Sequence, residues 1–165
     1  MSDILCLYYS RSGKTRKAME EIAAALDAEL VEFTDGEDYS GLRGFLWAGK
    51  SAMQRLTLPT QPYETEKPLS DYRLVILGTP VWAGRCASPV RGLLKRRGLE
   101  LERVAYVLTR AGKSHYDEVC EQMDMYTAQK HVLSVSLRVD DVSYAYWRDD
   151  FIQNVKRYME QTNGG

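Results

Sequence analysis

Ser10-Arg11-Ser12-Gly13-Lys14-Thr15 decides the fold, because it joins an apolar run over residues 4–9 to a helical pattern over residues 16–26. A buried strand that enters a helix through a short loop is the first half of a βα unit, as in parallel α/β sheets. The first turn of such a helix has about four N–H groups without intrahelical acceptors and a partial positive charge. The loop therefore predicts a site for an anion.

The composition favours one domain with a small or local partner. The chain has 165 residues, 44% of them hydrophobic, so we predict a single domain over residues 1–165 with one ordinary core. With 22 basic and 23 acidic residues the formal net charge is −1, and this balance does not favour nucleic acid or an acidic membrane surface.

The cysteines and the N-terminal sequence predict a cytoplasmic protein. Cys6, Cys86 and Cys120 form no C-x-x-C pair, and their odd number suits reduced thiols; no metal site is predicted. The first residues do not form an apolar signal segment, and no window approaches the roughly 18 apolar residues of a membrane span.

Five strand-like segments alternate with helical patterns, which predicts a three-layer, doubly wound α/β fold with a five-stranded parallel sheet. Residues 4–9, 73–78 and 104–109 are nearly continuous apolar runs, as expected of central strands covered on both faces. The short run 30–33 and the alternating pattern of 133–137 are typical of half-buried strands, which we place at the edges.

An additional helix is predicted over residues 41–56, between the second and third strands. We expect its core face to be the apolar stripe formed by Leu42, Phe45, Leu46, Gly49, Ala52, Met53 and Leu56. Trp47 falls opposite that stripe. It is either a partly covered surface tryptophan or a residue at an interface or over a ligand, and it suggests a homodimer.

Three other kinds of phosphate-binding loop do not fit the opening stretch. The dinucleotide fingerprint G-x-G-x-x-G needs three glycines, and Gly13 is the only one here. A Walker A loop would place its first glycine on Tyr8. A response-regulator receiver needs an acidic residue after the first strand and a phosphoacceptor Asp after the third, where this chain has Ser10 and Thr79. What remains is a short, hydroxyl-rich loop that suits a single phosphate monoester.

Cations crowd the start of the first helix, where the helix dipole disfavours positive charge. Arg16 and Lys17 have glutamates four residues further along the helix, and ion pairs with these explain their presence. Arg11 and Lys14 have no partner of this kind, so they also point to a bound anion.

Two loops of the chain match one known family. Ser10, Ser12, Gly13 and Thr15 fit a T/S-x-T-G-x-T loop, and the segment Gly78-Thr79-Pro80-Val81-Trp82-Ala83-Gly84 looks like a GTPVWAG loop after the third strand. On these residues the chain resembles the flavodoxin-like family over nearly its whole length. The loop Thr109-Arg110-Ala111-Gly112-Lys113 departs from the family pattern, which usually has a richer glycine or acidic loop there.

The resemblance implies a strand order of 2-1-3-4-5 and FMN as the cofactor. Flavodoxin itself exemplifies the rule that ligands bind where the strand order reverses, with FMN between the first and third strands. The cofactor-binding residues implied are Ser10, Arg11, Ser12, Gly13, Lys14, Thr15, Thr79, Pro80, Val81, Trp82, Ala83, Gly84, Thr109, Arg110, Ala111, Gly112 and Tyr116. No catalytic residue is singled out.

Several aromatic residues are candidates for contact with the flavin ring. We expect Trp82 to stack on it or touch its edge, while Pro80 and Gly84 let the backbone approach. Tyr116 either covers the other ring face or packs its helix on the sheet. His115 either approaches the ring or a substrate, or is a solvated residue at the start of a helix.

The charges around the opening of the predicted FMN site indicate which kind of reaction it favours. Arg11, Arg85, Arg110 and Lys113 favour two-electron hydride chemistry or an anionic substrate. We therefore expect reduction of a quinone or another small acceptor with NAD(P)H as donor. Two alternatives stay open, a one-electron carrier between redox proteins and, because the third loop diverges, a binding or regulatory module without tightly bound flavin.

Overall fold

A computed structural model describes residues 2–54 and 57–163 of the chain. Within these ranges the strands are β1 (Ile4–Tyr8), β2 (Glu29–Glu32), β3 (Leu74–Trp82), β4 (Arg85–Cys86), β5 (Val104–Thr109) and β6 (Leu133–Leu137). The α-helices are α1 (Lys14–Leu26), α2 (Gly41–Met53), α3 (Ser88–Arg97), α4 (Asp117–Asp124) and α5 (Tyr144–Thr162). No helix in the described ranges combines the length and the apolar character that crossing a membrane requires.

The predicted sheet is confirmed. Its parallel strands run in the order β2-β1-β3-β5-β6, which is the expected 2-1-3-4-5 order when the short antiparallel strand β4 is left out. The central strands β1 and β5 are buried at every residue, whereas β2 alternates between half-buried and exposed positions. The central and edge positions are therefore those that the hydrophobic patterns indicated.

Helices cover both faces of the sheet and enclose one apolar layer on each side. On one face, α1 and α5 pack through residues such as Met19, Ile22 and Phe151. On the other face, α2, α3 and α4 pack through residues such as Leu93 and Val119. This is the three-layer, doubly wound α/β arrangement that the sequence predicted.

The segment predicted as a loop after the third strand is largely a β-hairpin. β3 continues to Trp82, and its last residues pair with β4 in the register Val81 to Cys86 and Trp82 to Arg85. Ala83 and Gly84 form the two-residue turn, with φ values of 50° and 74°. Two successive left-handed residues match the right-handed twist of a hairpin, and here they extend the sheet beyond the predicted strand end.

The orientation predicted for α2 is wrong. The residues that the helix buries are Gly44, Ala48, Ser51 and Ala52. Of the expected core stripe Ala52 is buried, but the large residues Leu42, Phe45, Leu46 and Met53 face outward and are between 60% and 76% exposed. Trp47, expected opposite the core face, is half-buried against it. Leu56 lies outside the described residues, and the helix ends at Met53.

Close packing explains this orientation better than hydrophobicity does. A Cβ added to Gly44 would lie 2.0 Å from the carbonyl carbon of Tyr39, so only glycine fits at this contact. Ser51 places its hydroxyl 2.8 Å from that of Ser88 at the start of α3. A face of small residues lets α2 approach the neighbouring backbone, and its large apolar side chains are left on the opposite side.

Candidate functional site

A cavity of about 620 Å³ opens at the carboxyl ends of β1, β3 and β5. Its walls come from the loop between β1 and α1, the β3 end of the hairpin, the loop after β5 and the outer side of α2. The volume lies within the range of roughly 300–1,000 Å³ that is usual for small-molecule sites. The position is the switch point, where connections leave the sheet in opposite directions.

Most of the residues predicted from the loops line this cavity. Those that do are Arg11, Ser12, Lys14, Thr15, Pro80, Val81, Trp82, Ala83, Thr109, Arg110 and Ala111. Those that the structure places outside the lining are Ser10, Gly13, Thr79, Gly84, Gly112 and Tyr116. The three loops are thus brought together as expected, although not every residue of each loop faces the cavity.

One whole wall was missed by the sequence analysis. The residues of α2 and its end that line the cavity are Phe45, Leu46, Ala48, Gly49, Lys50, Met53 and Gln54. The signal was present, since an apolar stripe was recognised on this helix, but the stripe was assigned to the core. The small residues Gly44 and Ala48 at a spacing of four were the indication that the opposite face packs inward.

Ser10 stabilises the loop between β1 and α1 through its side chain. Its Oγ accepts hydrogen bonds from the N–H groups of Gly13 at 3.0 Å and Arg16 at 3.3 Å. Gly13 precedes α1 with φ 97°, a conformation that side-chain-bearing residues rarely adopt. Within the described ranges, the N–H groups of Ser12, Lys14 and Thr15 have no acceptor in the protein. Lys14 and Thr15 are in the first turn of α1 and Ser12 lies just before it, so an anion can bind these three donors together.

Thr15 and Thr109 connect two walls of the site. Their hydroxyl oxygens are 2.7 Å apart, and the two residues are only 2% and 5% exposed. Thr15 lies in the first turn of α1 and Thr109 ends β5, so this buried hydrogen bond fixes the first loop against the loop after β5.

Arg11 and Lys14, for which the sequence offered no partner, both have one in the structure. Arg11 donates from Nε to the carbonyl oxygen of Tyr39 at 2.8 Å, and its guanidinium carbon lies 5.5 Å from the ring centre of Phe45. Lys14 Nζ is 2.6 Å from a carboxylate oxygen of Asp140, in an exposed ion pair. Arg11 therefore links the first loop to the start of α2, and the pair of Lys14 is open to exchange with another anion.

Of the two ion pairs expected within α1, the pair of Lys17 is present and the pair of Arg16 is not. Lys17 does pair with Glu21 four residues on, at 3.6 Å. Arg16 pairs instead with Glu32 at the end of β2, at 2.9 Å from Nε. The parallel pairing of β1 with β2 brings Glu32 beside the start of α1, and this contact replaces the helical one.

Trp82, at the end of β3, is part of a buried aromatic cluster. It is 7% exposed, and its ring centre is 4.7 Å from that of Tyr39 and 5.6 Å from that of Tyr9. Burial, followed by the charge of Asp35, raises the pKa of both tyrosines, and the Tyr39 hydroxyl donates to Asp35 at 3.0 Å. The cluster holds Trp82 in place while its remaining surface lines the cavity.

The loop after β5 folds onto itself. Arg110 donates from Nε to the hydroxyl of Ser136 at 2.9 Å and from a terminal nitrogen to the carbonyl oxygen of Gly112 at 2.5 Å. Tyr116 sits just before α4 with φ 60° and packs partly against the core, so it does not reach the cavity. His115 lines a separate cavity of about 170 Å³ beside Trp147.

The charged residues of the main cavity are all basic. Arg11, Lys14, Lys50 and Arg110 line it, whereas no Asp or Glu among the described residues does. The expected cations Arg85 and Lys113 lie outside the lining, and Lys50 was not anticipated. The arrangement favours a ligand with negative charge at the first loop and a flat apolar body against β3 and α2.

Solved structures similar to this chain include flavoproteins. A flavoprotein from Lactobacillus acidophilus NCFM, crystallised in complex with FMN, is 26% identical, with a TM-score of 0.69 over 89% of this chain and 99% of that one. A putative flavoprotein from Bacteroides uniformis is 18% identical, with a TM-score of 0.71 over 94% and 98% of the two chains. No protein-family model and no curated protein sequence matches the chain.

A more distant likeness extends over almost the full length of both proteins. The flavodoxin, WrbA-like protein from Agrobacterium tumefaciens is 11% identical, with a TM-score of 0.63 over 98% of this chain and 99% of that one. At this identity the likeness shows the fold. Taken with the strand order and the two matching loops, these structures show that the chain has a flavodoxin-like fold.

Proposed function

We propose that this protein binds FMN in the main cavity and reduces a quinone or another small acceptor with NAD(P)H as the donor. The main support for the proposal is that a loop suited to binding a phosphate lies beside an apolar cavity. Both are at the switch point of a flavodoxin-like sheet. The FMN complex of the Lactobacillus acidophilus flavoprotein, at 26% identity, supports the choice of cofactor.

The first loop fits a phosphate monoester. The N–H groups of Ser12, Lys14 and Thr15 are available as donors, and the hydroxyl of Ser12 is exposed beside them. Ser10 Oγ accepts hydrogen bonds from the N–H groups of Gly13 and Arg16, so its own hydroxyl hydrogen is available to donate to a phosphate. This set of neutral donors at a helix N-terminus, with Lys14 nearby, suits a dianionic group.

The remaining walls fit a flat ring system. Pro80, Val81 and Trp82 form one side, and a second side is formed by Thr109 at the end of the neighbouring strand with Arg110 and Ala111 of the loop that follows. The hairpin keeps the first side rigid, since Thr79 Oγ1 accepts a hydrogen bond from the N–H of Ala87 at 3.0 Å. These walls would orient the ring and exclude water from one of its faces.

FMN, when bound, supplies the redox chemistry, and the protein contributes binding, orientation and electrostatics. The overall reaction transfers a hydride from NAD(P)H and a proton from water to the quinone, which yields NAD(P)⁺ and the hydroquinone. Arg110 and Lys50 at the cavity wall reduce the cost of negative charge on a bound ligand. This is the feature that favours two-electron reduction over the transfer of single electrons between proteins.

Titration of the cofactor-free protein with FMN and with riboflavin, followed by flavin fluorescence, tests cofactor binding. We expect FMN to bind at least tenfold more tightly, because riboflavin lacks the phosphate and a hydrogen bond to a charged group contributes about 1.5–3 kcal/mol. Equal affinities would mean that the phosphate is not held at residues 10–15. Protein that binds neither flavin would refute both the enzyme and the electron carrier.

Steady-state oxidation of NADH and NADPH by the FMN-loaded protein, with a quinone as acceptor, tests the reaction. We expect quinone-dependent oxidation of at least one nicotinamide, at one mole of donor per mole of quinone. If flavin binds and neither nicotinamide is oxidised, the one-electron carrier becomes the better interpretation.

A further inference from the structure

The outer wall of the cavity contains a slot on α2. Phe45, Gly49 and Met53 follow one another at a spacing of four residues, so they form one line along the helix. Phe45 is 60% exposed and Met53 is 67% exposed, although both line the cavity. Gly49, between these two large side chains, leaves a gap that opens both to the cavity and to solvent.

The packing of the protein does not require this gap. A Cβ added to Gly49 would meet no atom within 4 Å, whereas a Cβ on Gly44 of the same helix would collide with the backbone of Tyr39. Glycine in a helix interior is less favourable than alanine. Close packing therefore explains Gly44. At position 49 a larger residue would fit, and the chain nevertheless has a glycine, which weakens the helix.

The charge beside the slot is positive. Lys50 follows Gly49, is exposed and lines the cavity. Among the described residues Lys50 has no ion-pair partner, and no Asp or Glu lines the cavity. Arg11, which lies over the Phe45 ring, adds a second cation at the far end of the wall.

We propose that this slot binds a flat aromatic molecule that carries an acidic group, an aromatic carboxylate or sulfonate. The ring would lie over Gly49 between Phe45 and Met53, where an aromatic and a thioether side chain both offer favourable contacts. The acidic group would face Lys50. That this molecule is the electron acceptor rests on the proposed function; its chemical class rests on the slot alone.

Isothermal titration calorimetry with 2-naphthoate and its neutral analogue 2-naphthamide tests the proposal on the protein with and without bound FMN. We expect 2-naphthoate to bind about two- to fivefold more tightly than 2-naphthamide, the range for one exposed ion pair. Gly49→Leu fills the slot and should weaken both probes at least tenfold. Lys50→Gln should abolish the preference for 2-naphthoate and leave the affinity for 2-naphthamide unchanged.

Two variants on α5 serve as matched controls. Gln153→Leu adds a leucine to an exposed helical position, and Lys156→Gln removes an exposed lysine, both outside the cavity lining. We expect neither to change probe binding, and circular dichroism should show that every variant is folded. Equal binding of the probes by wild type and Gly49→Leu, or equal preference by wild type and Lys50→Gln, would overturn the proposal.

Two further results separate this proposal from the proposed function and from a dimer interface. If FMN fails to bind while Gly49→Leu still weakens naphthoate binding, the slot proposal is supported and the proposed function is refuted. Analytical ultracentrifugation should show that Gly49→Leu does not alter the oligomeric state. A dimer of the wild type that dissociates in this variant would show that the slot is an interface between two copies, which overturns the proposal.

Discussion

Thr15 and Thr109 share a buried hydrogen bond of 2.7 Å between residues that are 94 positions apart in the sequence. It joins the start of the first helix to the end of the fourth parallel strand in chain order. The bond therefore fixes the distance between two walls of the cavity.

Replacing either threonine by valine should lower both stability and FMN affinity. Each variant removes one partner and leaves the other hydroxyl buried without a hydrogen bond, which costs about 1–3 kcal/mol. The double variant Thr15→Val/Thr109→Val should cost less than the sum of the single ones. Urea unfolding of all four proteins gives the coupling energy, and strict additivity would show that the two hydroxyls do not interact.

Two glycines of α2 should respond to alanine in opposite directions. Gly44→Ala should destabilise the protein, by about 1–3 kcal/mol if the helix is forced away from Tyr39. Gly49→Ala should stabilise it by up to about 1 kcal/mol, because the new methyl group meets open space and alanine favours the helix. Thermal unfolding tests the orientation of α2: a stabilised Gly44→Ala would show that this face is not packed inward.

Ser10 and Ser12 should separate the stability of the first loop from its ligand binding. Ser10→Ala removes the acceptor of the N–H groups of Gly13 and Arg16 and should cost about 1 kcal/mol of stability as well as FMN affinity. Ser12→Ala should lower FMN affinity by about one to two orders of magnitude and leave the unfolding free energy of the cofactor-free protein unchanged. A loss of stability in Ser12→Ala equal to that in Ser10→Ala would contradict this division of roles.

The cysteines should be inert in the folded protein and should make it sensitive to alkali. Burial raises the pKa of Cys6 from 9.0 to about 12 and that of Cys86 to about 11. Because the folded state holds these protons more tightly, their contribution is complete below pH 9 and is lost as the pH rises through 11 to 12. Unfolding free energies measured from pH 7 to pH 11 should therefore fall above pH 9.

Cys6→Ala should show a shallower fall over the same pH range, and an equally steep one would assign the effect to other groups. A thiol reagent such as 5,5′-dithiobis(2-nitrobenzoate) should react with the native protein at pH 8 only at the rate of unfolding, because the thiolate is the reactive form. Rapid reaction of the native protein would show that at least one thiol is accessible.

The sequence sufficed for the sheet because central parallel strands have a simple signature. Residues 104–108 are apolar and only Thr109 is polar, and the structure places β5 over residues 104–109 with every residue buried. The hairpin was not predicted, since nothing in residues 79–82 shows whether a continuing apolar segment remains paired. Its signal was Ala83-Gly84, a two-residue turn whose alanine adopts an uncommon left-handed conformation.

The site was predicted to the extent that it depends on loops and missed where it depends on helix orientation. The first loop carries its own chemistry in Ser12 and Thr15, so local residues sufficed. The side of α2 that faces inward is decided by backbone contact at Gly44, and a count of apolar residues favours the wrong face. Trp82 was found as a cavity residue, but its burial depends on Tyr9 and Tyr39, which are distant in sequence. The homodimer suggested by Trp47 stays a prediction.

Because the large apolar side chains of α2 face outward, the walls of the cavity differ in how well they tolerate substitution. The walls from β3 and β5 belong to the hydrogen-bonded sheet, and changes there would disturb the core. Phe45, Gly49, Lys50 and Met53 project from the side of a helix that the fold does not use for packing. Libraries of variants at these four positions could therefore change which molecules the protein accepts without loss of stability, which makes this helix the natural place to engineer or diversify its ligand range.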